Sequence, residues 1–514
     1  MYKERKLGHG SYGEVFLNSD GKTASKVVDM TSYDASIHPS VLREIAALEA
    51  LRHSPYVVKI QSTRFEQYHY EFTMHRYSYD LAYLIRRHHK YLLGKPALIM
   101  RIIYAVLRCL YDCQRSMVIH RDIKPANILI DGDHVVVCDW GLARVGFVSD
   151  HNHFYSNNVQ SIWYRAPEIL LGSEHYNNSA DLWSLGVVIY EMYHGAPLIR
   201  TQWQVEMLMG LFRIFGTPTR VTWPWCQSLA NYSQLFPKFT QASVSPFANM
   251  ADKNCSDLLD KILVLNPDAR ITCENALKHP YFSDIHSALP QIGRRFLPNL
   301  YPVQAVTIDT GRENAFNYLC EIVDNAQSDV VVFTAIRYYD IYKSHETGDT
   351  IRNTWDIWKN RDLCIVFVCL VIASKIYSKA PVSPLNYIHE LGMTSALYNQ
   401  LELMVIRLLW SHLYQVTEAH YLSIFQQDPE LKGLTHEVHG QSMRLLYLFM
   451  SEKTHRHYHP YELVVSILHY FQVLDAGQYI DEQKLDRVLG DIQHVSRLEC
   501  SRHLTGLLTR RKHV

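Results

Sequence analysis

The sequence predicts an α+β fold over roughly its first 282 residues and an all-α helical bundle beyond. Three observations carry this expectation. Up to about Phe282, short β-type runs such as "EVFL", "ASKVV", "YVVKIQST" and "HVVVCDW" alternate with helical patterns behind a glycine-rich start. From about Arg312 onward, nearly every stretch reads as helix. Within that second part "CIVFVCLVIA", Cys364 to Ala373, is apolar on all sides, as suits the buried centre of a bundle. It stops short of the roughly 18 residues that suggest a membrane span.

Composition bounds the rest. At 514 residues with 47% hydrophobic content, the chain has length for two or three domains with ample cores. Lys+Arg and Asp+Glu balance at 51 each, so net charge gives no reason to expect nucleic acid or a membrane as the main partner. The ten cysteines are scattered with no CxxC pair, which fits reduced thiols better than a disulfide framework or a zinc site. The start, "MYKERKLGHG", lacks the apolar stretch of a secretory signal. The expectation is an intracellular protein of nucleus or cytoplasm, neither secreted nor membrane-spanning. The clusters "HNH" at 151 and "HRHYH" at 455 read as metal ligands or as solvated loop histidines.

Element by element, chemistry first appears in "LGHGSYGEVFL", residues 7 to 17. Gly8, Gly10 and Gly13 have the G-x-G-x-x-G spacing that lets backbone approach phosphate, but a β-type segment follows rather than a helix, which argues against a dinucleotide fold. Lys26 then sits in the apolar strand pattern "ASKVV" and must lie at an edge or pair with an acid. The helix "HPSVLREIAALEAL", residues 38 to 51, supplies one. At about 100° per residue, Val41, Ile45, Leu48 and Leu51 share a face with Glu44 among them, while Leu42 points about 160° away from Glu44. The helix thus buries an acid and turns a leucine outward.

The stretch "VIHRDIKPANILI", followed by "VVVCDWGLAR", gathers Asp122, Lys124, Asn127 and Asp139 in strand-turn-strand texture. Two carboxylates, a cation and an amide so placed suit Mg2+ and a phosphate. These segments resemble the catalytic and metal-binding loops of the eukaryotic protein kinases, and "WYRAPEILLG", "SADLWSLGVVIYEM" and "LNPDARITCENALKHPYF" extend the resemblance over residues 1 to 282. It implies a bilobal protein-kinase fold, small lobe about 1–77 and large lobe about 78–282, that binds ATP and Mg2+ and phosphorylates protein substrates. By the same resemblance Asp122 accepts or orients the substrate hydroxyl proton, Lys124 meets the γ-phosphate, Asn127 and Asp139 hold Mg2+, and Lys26, held by Glu44, grips the α and β phosphates. Leu7, Gly8, Gly10, Gly13, Val15, Met74 and Tyr77 line the ATP site, with Met74 behind the adenine and His75 to Tyr77 as the hinge. Glu168 and Arg270 form a structural ion pair.

Two departures stand out. "DWG" replaces the usual D-F-G, putting Trp140 where a phenylalanine helps set active and inactive states; and few residues precede Gly8, which predicts a short first strand and a less stable small lobe. A scaffold that binds without turnover therefore stays open as an alternative.

"HPSVLREI", "FRIFGTPTRVTWP" and "WYRAPEILLG" are similar to the cyclin-dependent kinases. That implies Ser/Thr specificity and proline after the acceptor, although Gln160 stands where the subgroup has a valine. It also implies an activating phosphosite at Ser156, set by an activating kinase and clamped by Arg43, Arg121 and Arg144, and an inhibitory one at Tyr12.

In the second half "YYDIYKS", "CLVIASKIYSKAPVSPLNYIHEL" and "LELMVIRLLWSHLYQVT" resemble a cyclin box, about five helices around one buried helix. Lys375 and Glu402 match its Lys/Glu pair, which bonds kinase backbone near the movable helix; Asp340 and Arg312 match its internal ion pair. The expected organisation is a kinase domain at 1–282, a linker with three prolines at 283–311, a cyclin box at 312–416, and helices at 417–514 suited to a second cyclin repeat. The first box helix, "RENAFNYLCEIV", lacks the pattern that docks basic-leucine substrate motifs. A tether of about 28 residues spans about 30 Å and gives a roughly millimolar effective concentration, so the cyclin-like half is expected to activate the kinase in cis, with Leu42 covered by it. The cyclin-like half acting in trans on another kinase is the other alternative.

Overall fold

The computed structural model describes residues 3–10, 13–29, 37–66, 69–145, 159–173, 177–240, 244–283, 318–319, 329–345, 361–378, 381–388 and 391–409. Tyr12, Ser156, Arg312, both histidine clusters, the linker beyond Ser283 and residues 417–514 lie outside them. The chain divides into two units: Met1–Ser32 with Arg43–Val145 and Ser149–Phe296, and Tyr33–Leu42 with Gly146–Val148 and Leu297–Val514.

In the first unit five antiparallel strands form one sheet: β1 (Lys3–Gly10), β2 (Gly13–Asn18), β3 (Thr23–Asp29), β4 (Ile60–Glu66) and β5 (His69–His75), in spatial order β1-β2-β3-β5-β4. The first strand is not short: it spans eight residues and pairs along its length with β2, from Lys3 opposite Asn18 to Gly10 opposite Gly13. Gly13 is demanded by packing, because a Cβ there would stand 2.4 Å from the Val27 carbonyl oxygen. The apolar run "YVVKIQST" is not one strand. Tyr56 to Val58 pair instead with Val137, with Val58 N–H donating to Val137 O at 3.1 Å and Val137 N–H to Tyr56 O at 2.9 Å, and β4 begins only at Ile60.

Helix α1 (Pro39–Ala50) follows β3, and the division between the units falls inside it, after Leu42. Beyond Ser40 only Arg43 and Glu49 keep partial exposure. Leu42, on the side away from Glu44, is fully buried, so the helix presents no bare apolar face.

The remainder of this unit is mostly helical. β6 (Tyr79–Asp80) leads into α2 (Leu81–Leu93), capped by Asp80, whose carboxylate accepts the Tyr83 N–H at 2.7 Å. α3 (Pro96–Arg115) precedes β7 (Val118–Ile119); β8 (Ile128–Asp131) and β9 (His134–Val137) form a hairpin joined by β6; β10 (Arg144–Val145) pairs with β7. α4 (Pro167–Leu170), α5 (Asn178–His194), α6 (Gln204–Phe215), α7 (Lys253–Ile262) and α8 (Cys273–Leu277) complete it. α5 is buried on nearly every side, so it forms the centre rather than a surface of this body. Gly186 lets α7 approach it closely: a Cβ would lie 2.7 Å from side-chain atoms of Ile262 and Leu263.

One buried ion pair braces this body. The Arg270 guanidinium meets Glu168 at 2.6 and 2.5 Å, donates to the carbonyls of Val264, Ser179 and Leu265, and lies over the Trp183 ring at 5.1 Å. A buried pair of charges is tolerable only when its remaining hydrogen-bonding capacity is used in this way.

In the second unit α9 (Asp329–His345), α10 (Arg361–Tyr377) and α11 (Ser395–Leu409) pack on one another, with α10 central. From Cys364 to Tyr377 every residue of α10 is buried, Lys375 and Ser374 included. Ser374 returns its hydroxyl to Val371 O at 2.8 Å. Lys375 is ion-paired with Glu402 of α11, whose carboxylate also accepts the Tyr398 hydroxyl at 3.2 Å and, through Oε2, the Ile37 N–H at 2.9 Å. All of these residues belong to the second unit. Asp340 is buried on α9. Among the described residues no helix is long and apolar enough to cross a membrane.

Candidate active site

The sheet carries the first half of the site. In β3 Lys26 points inward, and its Nζ stands 2.8 Å from each oxygen of Glu44 on α1 and 3.1 Å from Oδ1 of Asp139. Burial opposes the charge on Lys26, but the Asp139 and Glu44 carboxylates outweigh it and hold its pKa above the ordinary value. Burial pushes the Glu44 carboxyl upward, against Lys26 and against the Trp140 N–H that it accepts. Three side chains distant in sequence thus form one small charged cluster in an apolar setting.

The second half lies between β7 and β9. Asp122 Oδ2 accepts from Lys124 Nζ at 2.6 Å and from Asn127 Nδ2 at 3.2 Å, and Asn127 Nδ2 also donates to the Asp122 carbonyl at 2.8 Å. With Nδ2 committed to Asp122, the Oδ1 of Asn127 is its atom for a cation. The Cys138 N–H donates to Asn127 O at 3.0 Å, which ties this loop to the segment bearing Asp139. The backbone is left-handed at Arg121 (φ 71°) and at Asp139 (φ 62°). Non-glycine residues adopt that conformation at a cost of order 1–3 kcal/mol, met here by the bonds around them.

Trp140 is fully buried and donates its indole N–H to Val137 O at 3.2 Å, edge-on to the His120 ring at 4.5 Å. Its ring is locked in the interior, so the tryptophan is accommodated with Asp139 still turned to Lys26.

The remaining expected residues fall around these clusters. Met74 is buried near the end of β5, opposite Ala24 and Ile60. Tyr77 is half-buried after β5, beside the His75 ring at 5.1 Å, and His75 Nε2 meets Asp131 at 3.1 Å. Leu7 is exposed on β1, and Val15 pairs in register with Lys26. Gly10 lies at the end of β1, opposite Gly13. Around Gly8 nothing lies within 4 Å of where a Cβ would stand, so its bare backbone serves no internal packing. Arg43, Arg121 and Arg144 are each half-buried.

Other residues carry the site without having been singled out. The Asp181 carboxylate of α5 accepts the backbone N–H groups of His120 at 2.7 Å and Arg121 at 2.8 Å. Asn178 donates to Val118 O at 2.7 Å. His120 accepts the Asp122 N–H at Nδ1, at 3.2 Å, and its Nε2 lies 3.1 Å from Cys138 O. These groups fix the backbone that presents Asp122. The trace of Asp181 and Asn178 in the sequence is an acid and an amide within the largely apolar "NSADLWSLGVV", and His120 stands within "VIHRDIKPANILI".

A buried lysine gripped by acids, beside an amide and a carboxylate that offer hard oxygens, is the outfit of a phosphoryl-transfer centre. Residues 1–282 match the family model of the protein kinase domain, and the chain belongs to that family. The domain implies ATP and a divalent metal, usually Mg2+, with proteins as substrates. The residues present fit both. Asn127 Oδ1 and the Asp139 carboxylate are oxygen ligands of the kind Mg2+ takes, and a site of two protein ligands leaves the other positions to phosphate and water.

Proposed function

We propose that the chain is a Ser/Thr protein kinase of cyclin-dependent type, activated in cis by a cyclin-like second half. The observation that carries the reading is the two-point contact between Lys26 and Glu44, with Asp139 on the same ammonium. In this arrangement Lys26 orients the α and β phosphates of ATP. Asp122 orients the substrate hydroxyl and takes its proton as the oxygen attacks the γ-phosphorus, and Lys124 balances charge on the transferred group. Asn127 and Asp139 hold Mg2+, which neutralises phosphate charge when bound. Lys124 in the catalytic loop is the residue that points to Ser/Thr acceptors.

The cyclin-like reading is supported by the buried Lys375–Glu402 pair, together with the Ile37 N–H donated to Glu402 just ahead of α1. A pair so placed holds the approach to the helix that carries Glu44. Ser156, with Arg43, Arg121 and Arg144 as its clamp, is proposed as the activating phosphosite.

Rates for the full chain and for residues 1–290 on the same protein substrate test the proposal. Activation in cis predicts a loss of at least about tenfold in the short form, and equal rates overturn it. Asp122→Asn in the full chain tests turnover itself and is expected to abolish phosphate transfer.

A further inference from the structure

Helix α2 stands apart from the charge balance of the chain. Between Tyr79 and Lys95 the sequence holds Arg86, Arg87, Lys90 and Lys95 against a single acid, Asp80, and the Asp80 carboxylate is engaged in capping the helix. Arg86, Arg87 and Lys90 are exposed. Among the described residues none of the three is ion-paired, although Arg86 bonds its own helix at Ala82 O, 3.2 Å away. By the 100° rule Tyr83, Arg86 and Arg87 fall within about 100° of one another; the helical path then breaks at His88 (φ −133°, ψ 32°), and Lys90 and Tyr91 follow beyond the kink. Three exposed cations thus stand between two exposed aromatic rings along this segment. Tyr83, 42% exposed, stacks with Tyr79 at 5.7 Å, and Tyr91, 58% exposed, lies under the Lys95 ammonium at 5.9 Å.

The helix is close to the chemistry. α2 packs against the Pro125–Asn127 turn of the catalytic loop and against α5. Glu191 of α5 is buried and accepts the Tyr164 hydroxyl at 2.7 Å, so its carboxylate is engaged in the interior.

We propose that the exposed side chains of the kinked helix α2, Arg86, Arg87 and Lys90 with Tyr83 and Tyr91, dock an acidic segment of the protein substrate beside the catalytic loop. Charge complementarity selects the occupant: three exposed guanidinium and ammonium groups seek carboxylates, while the tyrosine rings accept the apolar stems between them. The packing of α2 on the Pro125–Asn127 turn of the catalytic loop favours a peptide continuous with the phosphoacceptor over a nucleic acid or a lipid surface. The proposal rests on the protein-kinase assignment and adds a substrate class to it.

The test uses the full chain in two arms. In the first, two peptides share one Ser-Pro acceptor and differ in a flanking run of four Glu or four Gln. The Glu peptide is expected to have a KM about tenfold lower at similar kcat. The variant R86A/R87A/K90A erases the difference and leaves kinetics on the Gln peptide unchanged. Equal KM values for the two peptides, or a preference that survives in the variant, overturn the proposal. In the second arm, fluorescence anisotropy follows labelled ten-residue Glu and Gln peptides and a ten-nucleotide single-stranded DNA, without turnover. Binding of the Glu peptide at least about tenfold tighter than the other two, and lost in the triple variant, supports the proposal. DNA binding as tight as the Glu peptide, through the same three residues, overturns it. A chain that phosphorylates neither peptide defeats the kinase activity, while the anisotropy arm still decides the docking site.

Discussion

Lys26 and Glu44 have each other as the reason for their burial. Glu44→Gln retains a hydrogen-bonding partner for Lys26, and Asp139 remains at 3.1 Å, so the fold is expected to survive with a loss below about 2 kcal/mol. The orientation of Lys26 is not preserved in the same way. A fall in kcat/KM of about 100-fold, or about 2.7 kcal/mol, is the expected result of steady-state kinetics, and unchanged kinetics would remove Glu44 from the mechanism. The pH dependence follows from the sign of the Lys26 shift. Its folded pKa lies above the unfolded value of about 10.4, so its contribution is complete below that pH and fades only as pH rises through the folded value. Lys26 therefore introduces no titration across the neutral range. At this scale the sequence was most legible at Lys26, Asp122, Asn127 and Asp139, whose charged and amide groups stand out in apolar strand and turn texture; the structure sets Lys26 against Asp139 and Asp122 against Asn127, in line with the proposed roles. Asp181 and His120 were not legible in the same way. They hold backbone N–H and carbonyl groups, and nothing local to an acid in an apolar helix announces which backbone it will meet.

At the scale of elements, the glycine-rich hairpin separates two uses of glycine that the G-x-G-x-x-G spacing alone cannot distinguish. Gly13 faces the Val27 carbonyl with no room for a Cβ, whereas Gly8 faces open space. Gly13→Ala is expected to push β2 from β3 at a cost of about 1–3 kcal/mol, seen as a lower Tm together with a raised KM for ATP. Gly8→Ala is expected to leave Tm within error, because it meets nothing, while raising KM for ATP several-fold. Thermal melts with and without nucleotide separate the two, and a Tm loss at Gly8 would refute the distinction. Strand boundaries were the less legible part. The run "YVVKIQST" carries one apolar texture across two pairings, with Val57 bridged to Val137 and β4 starting at Ile60, because period and propensity do not name the partner. Helix α10 was recognisable as a central element, since apolarity on every side leaves a helix no exposed place to lie, whereas the central place of α5 emerged only from its burial.

At the scale of the whole molecule, the proposed activation in cis turns on what the Lys375–Glu402 pair is for. A buried ion pair replaced by apolar groups of similar size is often neutral for stability, although K375M/E402L also leaves the Ile37 N–H and the Tyr398 hydroxyl without their acceptor, each worth about 1–3 kcal/mol when buried. If the pair serves only the helical bundle, full-chain kinase activity should be indifferent to the double variant once folding is verified by circular dichroism. If Glu402 holds the segment ahead of α1, activity is expected to fall about tenfold in a chain that is still folded. A second measurement separates action within one chain from action between chains. With an effective concentration in the roughly millimolar range, a separate fragment of residues 300–514 at ~10 μM is outcompeted about 100-fold by the tethered copy. Rate per mole of enzyme is therefore expected to stay flat as the chain is diluted from ~1 μM to ~1 nM, and added fragment is expected to change nothing. A specific rate that climbs with concentration, or that the fragment raises, would mean that the second half serves another chain, because only an intermolecular contact obeys mass action over that range.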